Sequence, residues 1–385
     1  MTVEIHGTVA DGFEKVADAF AANFREHGEV GAACAVRVGG VQVVDLWAGT
    51  ADPATGRPYE ADTLQLVFSS TKGVLAIAIH QLAERGLIDL DAPVAQYWPE
   101  FAANGKQDIP VRWVLAHRSG VVGIDRVLTV EEFCAWDPFI DALAAAEPLW
   151  EPGTAHGYHA ISYGHLVGEL IRRVSGSSVG AYVREHVAGP VGAEFSIGAT
   201  EEQLARVAPL IDFPPGAMGG DGADPMFAAL LTPGTPTNRA FMIAPVYITN
   251  FNEPQLLRAE IPAANGCTSA RSLAAIYGAT VAEVDGTRLL SAAQVDDARA
   301  VRSEGDDLVL IGSPNRIGSG VFLSDPISQM LGEGSYGHSG LGGSLGCALP
   351  EREIGFGYVM NQCSAHVKGD PRPKALLEAV LACTT

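Results

Sequence analysis

A serine at position 69 and a lysine at 72 stand three residues apart in Val67-Phe68-Ser69-Ser70-Thr71-Lys72-Gly73-Val74, just ahead of an apolar helical run. Positions i and i+3 share a helix face, so the lysine amine can reach the serine hydroxyl. A serine hydroxyl is a weak nucleophile until a neighbouring base takes its proton. A lysine serves as that base only if burial or a second cation lowers its pKa. The chain has only five lysines, which makes this one conspicuous. Ser-x-x-Lys is nonetheless a short pattern, and alone it is more often an N-cap and a solvated helix lysine.

Three further segments carry residues of the right kind. The first is Trp150-Glu151-Pro152-Gly153-Thr154-Ala155-His156-Gly157-Tyr158-His159-Ala160, and the second is Tyr336-Gly337-His338-Ser339-Gly340-Leu341-Gly342-Gly343-Ser344. The third is a pair of stretches, His117-Arg118-Ser119-Gly120 ahead of the first segment and Ala264-Asn265-Gly266-Cys267-Thr268-Ser269 between the two. In this order the ensemble resembles the serine β-lactamase and penicillin-binding-protein superfamily, closest to its class C-like esterase branch, the family VIII carboxylesterases. The resemblance runs over nearly the whole chain.

It implies a β-lactamase-like fold and roles for particular residues. Ser69 would be the acylated nucleophile and Lys72 its partner. Tyr158 stands where Tyr-x-Asn places its tyrosine, and the phenolate or the Tyr158–Lys72 pair would accept the serine proton. A phenol near its free pKa of about 10 is a poor base, so cationic Lys72 must favour the phenolate or the pair must share one proton. His338, Ser339 and Gly340 occupy the Lys-Thr-Gly position and would meet substrate. The backbone N–H groups of Ser69 and Leu341 would form the oxyanion hole. No cofactor and no metal is implied.

Two departures from the pattern bear on substrate. Lys-Thr-Gly has become His338-Ser339-Gly340, which removes a permanent cation for a substrate carboxylate. Tyr-x-Asn has become Tyr158-His159-Ala160, which removes an amide for an acylamido chain. Each lost contact costs about 1–3 kcal/mol, so small, uncharged, short-chain esters fit better than β-lactams. The expectation is a serine carboxylesterase acting through an acyl-enzyme. The rivals on the same site are a β-lactamase, a D-amino-acid amidase or peptidase, and an acyltransferase; the rival of another class is a non-catalytic binding protein. Gly342-Gly343-Ser344-Leu345-Gly346 also matches the nucleophile elbow of α/β-hydrolases, but that elbow needs a strand, a tight turn and a helix, and a strand-like run follows here. His159 and His165 match no metal-ligand spacing and read as structural.

The elements that must hold these residues can be read along the chain. Phe13, Val16, Phe20 and Phe24 stripe a helix over residues 11–26. Residues 33–38 and 41–47 form a hairpin around Gly39-Gly40. Helical patterns follow Ser69 to about 205, including 131–146 and 161–174, with another at 269–281. The stretch 211–256, punctuated by Pro214-Pro215-Gly216, Gly219-Gly220, Pro225, Pro233-Gly234 and Pro236, reads as an irregular wall or lid of a substrate pocket. Strand texture returns at 308–312, 320–323, 344–348 and 354–360, and a helix over 374–382 closes the chain. The fold class is therefore α+β, a central antiparallel sheet built from both chain ends and flanked by helices. Residues 1–68 and 300–385 form the sheet region, and 69–299 an inserted, mainly helical region of the same catalytic domain.

Composition narrows the setting. A net charge of −20 repels phosphate backbones and anionic membrane surfaces, which makes nucleic acid and membrane poor partners. The partner expected is a small-molecule ester; a homo-oligomer is left open. The N-terminus lacks the basic-then-apolar layout of a secretion signal, so a cytoplasmic location is the default. Six scattered cysteines without a Cys-x-x-Cys pair read as reduced core residues.

Overall fold

The computed structural model describes residues 3–214, 225–328, 330–366 and 368–384. Its main sheet has ten strands and draws on both chain ends. Along the main path the order is Ile5–Val9, Val41–Asp52, Gly31–Val38, Ile354–Met360, Leu345–Leu349, Tyr336–Ser339, Phe322–Leu323, Asn315–Ile317 and Ser303–Gly305, with every neighbour antiparallel; Arg57–Pro58 pairs with Val41–Asp52 off that path. The two ends of the chain meet where Tyr358 stands opposite Cys34. At the hairpin tip Gly39 and Gly40 have φ of 57° and 79°, the two positive values a type I′ turn requires.

Period-two alternation sorts the sheet's faces. Cys34, Val36, Cys347, Leu349, Phe356 and Tyr358 pack with Val16 and Phe20 of the Glu14–Glu26 helix and with Leu376 and Val380 of the Pro371–Cys383 helix. The opposite face is kept thin by Gly346, Gly355 and Gly357. A Cβ on any of them would meet the Ala270–Val281 helix, which lies directly on the strands. Beyond the sheet runs the Ser70–Glu84 helix, buried without interruption from Ser70 to Leu82. A helix apolar all round belongs in the interior, and this one stands between the sheet and the helical region. A smaller sheet of Phe195–Ser196, Cys267–Thr268, Leu64–Leu66 and Val207–Ala208 lies at its N-terminal end.

Three expectations need correction. Residues 308–312 form no strand; they curl into a turn, because the Asp307 carboxylate takes the N–H groups of Val309 and Leu310, both at 2.8 Å. The helix expected over 131–146 is two, Val130–Cys134 and Asp137–Ala145. Trp136 adopts φ 54°, and Pro138 lacks the N–H that a continuous helix would need. The stretch 211–256 is less irregular than expected. It contains helices Pro225–Leu231, Pro236–Phe241 and Pro254–Arg258, each opened by a proline whose missing N–H is harmless in a first turn. The expectation for Pro215, Gly216, Gly219 and Gly220 lies outside the described residues. No helix among the described residues is long and apolar enough to cross a membrane.

Candidate active site

Ser69 sits at the N-cap of the Ser70–Glu84 helix, presented by a strained turn. Phe68 before it has φ 41°, which is costly for a bulky side chain. Burial holds it there, edge-on to Phe251 at 5.3 Å. The turn closes through Ser70 N–H to Val67 O, Thr71 N–H to Phe68 O and Lys72 N–H to Ser69 O, leaving the Ser69 N–H outside this ladder. Residues 263–267 brace the turn. Val67 N–H donates to Gly266 O at 2.8 Å, and Gly266 N–H donates to Thr71 Oγ1 at 3.0 Å.

Lys72 Nζ donates to Ser69 Oγ at 2.9 Å and to the Ala263 carbonyl at 2.9 Å. It also lies 4.9 Å from the centroid of the Tyr158 ring. The Tyr158 phenol lies beside the Ser69 side chain at the rim of one cavity, close enough for the serine to hold its pKa down in part. The hydroxyl, the amine and the phenol thus converge, although 86 residues or more separate Tyr158 from the other two. Burial pushes the Lys72 ammonium well below its ordinary pKa and pushes the Tyr158 phenol up, opposed in part by Ser69. Both shifts favour the uncharged forms. A neutral amine with a neutral phenol holds as many protons as an ammonium with a phenolate, so one internal transfer interconverts them. The structure therefore favours the shared-proton alternative over a permanent phenolate.

Tyr158 is carried by a strap laid along residues 117–120. Leu149 N–H donates to Gly120 O at 2.9 Å, Gly153 N–H to Arg118 O at 3.0 Å and Gly157 N–H to His117 O at 3.1 Å. Beneath it lies a histidine network. His159 Nδ1 faces the Gly157 carbonyl at 2.6 Å, so Nδ1 carries the proton and Nε2 accepts from Ser119 Oγ at 2.7 Å. His117 Nδ1 accepts the His159 N–H at 3.0 Å, and its ring centroid lies 5.0 Å from that of Tyr158. Burial holds His117 far below its ordinary pKa and His159 at about 4. The motif pattern gives His117 no role, and its contact with Tyr158 has no sequence signal. His165 is enclosed by Phe133, Trp136 and Phe139.

The Tyr336–Ser339 strand brings the third segment alongside. Ser339, Gly340 and Leu341 line a cavity of about 110 Å³ together with Ser69 and Tyr158. Its remaining wall is largely apolar, from Met226, Phe241, Leu310, Phe322, Leu323 and Met330, with Asn315, Asp325, Ser328, His366 and Lys368 as polar members. Met226 and Phe241 come from the proline-rich stretch. His338 is buried beside the cavity, its ring 4.5 Å from Phe322 and 6.1 Å from Tyr158. Its Nδ1 donates to the Ser339 carbonyl at 2.7 Å, and burial, reinforced by Lys72, lowers its pKa to about 3. The residue in the Lys-Thr-Gly position is therefore a neutral imidazole, not a cation.

Ser344 is fully buried and enters the Leu345–Leu349 strand, not a helix. Its Oγ donates to Val67 O at 2.8 Å and meets Ser70 Oγ at 3.1 Å, tying the sheet to the Ser69 turn. All six cysteines are free, four of them buried.

A serine hydroxyl held between an amine and a phenol can lose its proton, attack a carbonyl carbon and take the proton back. Known proteins carry the same arrangement of chain. The Beta-lactamase family profile matches residues 16–381. Esterase/beta-lactamase LipL of Mycobacterium tuberculosis is 36% identical over 380 residues, 93% of this chain and 83% of the relative. The crystal structure of a family VIII carboxylesterase superposes with a TM-score of 0.89 at 38% identity, covering 99% of this chain and 100% of the other. A penicillin-binding protein homolog from Caulobacter crescentus gives 0.88 at 35% identity, with 99% and 100% covered. On a profile match that extends from the first helix to the last, the chain belongs to the Beta-lactamase family.

Proposed function

We propose that this protein is a serine carboxylesterase that hydrolyses small, short-chain esters through an acyl-enzyme on Ser69. The observation that carries the reading is the contact of Ser69 Oγ with Lys72 Nζ at 2.9 Å and with the Tyr158 phenol, at the edge of an apolar cavity. Ser69 Oγ attacks the ester carbonyl carbon while its proton passes to the Tyr158–Lys72 pair. Negative charge on the carbonyl oxygen is met by the N–H groups of Ser69 and Leu341. The carbon–oxygen bond to the alcohol breaks, and the leaving alkoxide takes the proton from the pair. Water then attacks the acyl-enzyme, gives its proton to the same pair and releases the acid, and Ser69 regains a proton.

Substrate size and charge follow from the walls. The cavity of about 110 Å³ is smaller than the roughly 300–1,000 Å³ of drug-sized pockets. The lysine in the wall, Lys368, is paired with Asp325 at 2.8 Å, and the neutral His338 beside the cavity and the methyl group of Ala160 add no cation for a carboxylate and no amide for an acylamido group. The names of similar proteins join esterases with β-lactamase and penicillin-binding relatives, so a chromogenic cephalosporin belongs in the substrate panel.

Ser69→Ala is expected to abolish hydrolysis of p-nitrophenyl acetate and butyrate, whereas Ser344→Ala retains most of it. Turnover surviving in the Ser69 variant refutes the reading. Covalent labelling of the intact protein by a fluorophosphonate, lost in the same variant, separates an enzyme from a binding protein of the same fold.

A further inference from the structure

Asp307 is a buried carboxylate that the proposed chemistry leaves unassigned. Its Oδ1 accepts the backbone N–H of Tyr158 at 3.0 Å, of Val309 at 2.8 Å and of Leu310 at 2.8 Å. Its Oδ2 accepts from Asn315 Nδ2 at 2.9 Å. Tyr158, Val309 and Leu310 belong to one apolar cluster, and Leu310 and Asn315 line the same cavity as Ser69. One side chain thus joins the backbone of the tyrosine proposed to accept the proton to two further lining residues of the pocket. Among the described residues no lysine or arginine forms an ion pair with it; its charge is met by amides.

We infer that Asp307 is a positioning residue that couples the cavity wall at Leu310 and Asn315 to the placement of Tyr158 against Ser69. A carboxylate suits the place because, with Asn315 as it stands, both ends accept. An amide at 307 would turn a donor toward Asn315 Nδ2 or toward three backbone N–H groups, and only turning over the Asn315 amide, whose buried Oδ1 has no partner among the described residues, would relieve the clash. A backbone misplaced by an ångström at Tyr158 breaks the alignment on which proton transfer depends, a loss on the order of a hundredfold in rate. Asp307 also acts through space, since its negative charge holds the proton on Tyr158 more tightly. The titratable groups around Tyr158 are Lys72, His117, Tyr163, His338 and Asp307, with His159 next to it in the chain. Burial keeps the three histidines neutral near pH 7, so the acid limb of activity belongs to the Lys72–Tyr158 pair.

This inference rests on the proposed roles of Ser69 and Tyr158, and its test keeps the two apart. Asp307→Asn, Asn315→Asp and the double variant D307N/N315D are compared with the unaltered protein on p-nitrophenyl butyrate across pH. Thermal melting reports folding. The single D307N variant is expected to lose kcat about 10- to 100-fold and to show its acid limb at lower pH. The double variant restores an amide–carboxylate pair of opposite sense and is expected to recover most of the lost kcat. Overturning results are a D307N kcat within about twofold of the unaltered protein, or a folded double variant no better than the singles. If D307N does not fold, the double variant alone decides. Ser69→Ala is run alongside. Turnover in that variant refutes the site itself, whereas a dead Ser69 variant with an unimpaired D307N overturns only the coupling.

Discussion

Replacing Lys72 by methionine separates the cost of the site from its use. Lys72 is fully buried, and its Nζ donates to Ser69 Oγ and Ala263 O, each at 2.9 Å. Losing those two hydrogen bonds costs about 0.5–1.5 kcal/mol each. Against that, a thioether of similar length avoids desolvating an amine and adds apolar burial of roughly 0.8 kcal/mol per methylene. The opposing effects leave the stability of Lys72→Met within about 1 kcal/mol of the unaltered protein, a melting shift of no more than about 2–4 °C. Catalysis has no such compensation. Removing a positioned base costs about 10²–10⁴ in rate, or about 2.7–5.5 kcal/mol of barrier. The pH dependence supplies a sign. Burial holds the folded-state pKa of Lys72 well below its ordinary value, so the unfolded chain binds the extra proton. Stability of the unaltered protein therefore rises with pH through the window below the ordinary lysine pKa, and the variant lacks that part of the slope. Measured kcat/KM on p-nitrophenyl butyrate and urea unfolding at neutral and alkaline pH read both quantities. A variant that keeps more than about a tenth of kcat/KM refutes the role of Lys72. One destabilised by several kcal/mol makes the amine a structural group instead.

Glu29 is buried against Arg372 and Tyr358, and burial raises its carboxyl from 4.5 to about 7 despite the pull of Arg372. The folded state holds that proton where the unfolded state has lost it, so stability falls as pH rises from about 4.5 to about 7, by about 3 kcal/mol in total. Urea unfolding of Glu29→Gln should gain on the unaltered protein by that amount over the same window; a difference that stays constant with pH contradicts the assignment. Gly73→Ala, which would stabilise an ordinary helix by about 1 kcal/mol, should here destabilise by about 1–3 kcal/mol. The added methyl would overlap the buried Tyr277 hydroxyl and press on His338 Cβ at 3.1 Å, so esterase activity should fall with the melting temperature. A more stable, fully active variant would show that the helix yields there.

What could be read from the chain, and what could not, divides by the range of the forces involved. The Gly39-Gly40 hairpin, the Glu14–Glu26 helix and the alternation in Ile354–Met360 rest on local backbone preference and on one buried face, and each left its period in the residues. The contact of Ser69 with Lys72 was legible as an i, i+3 spacing, whereas Tyr158 was placed beside them only by its likeness to Tyr-x-Asn. Leu308–Gly312 carries the same apolar signature as a buried strand. Its turn is imposed by a carboxylate that also holds the backbone of Tyr158, 149 positions away. The helix breaks at Trp136, where φ is 54°; the apolar pattern runs on through it, and only Pro138 two residues later marks the stop. The charge state of the site lies furthest from the residues themselves. A lysine, a tyrosine and the histidines at 117, 159 and 338 are each driven toward neutrality by elements that close over them from distant parts of the chain. Residue type thus determines which chemistry is available at Ser69. Whether a proton sits on nitrogen or oxygen there is set by packing, and only the assembled sheet, strap and helix determine it.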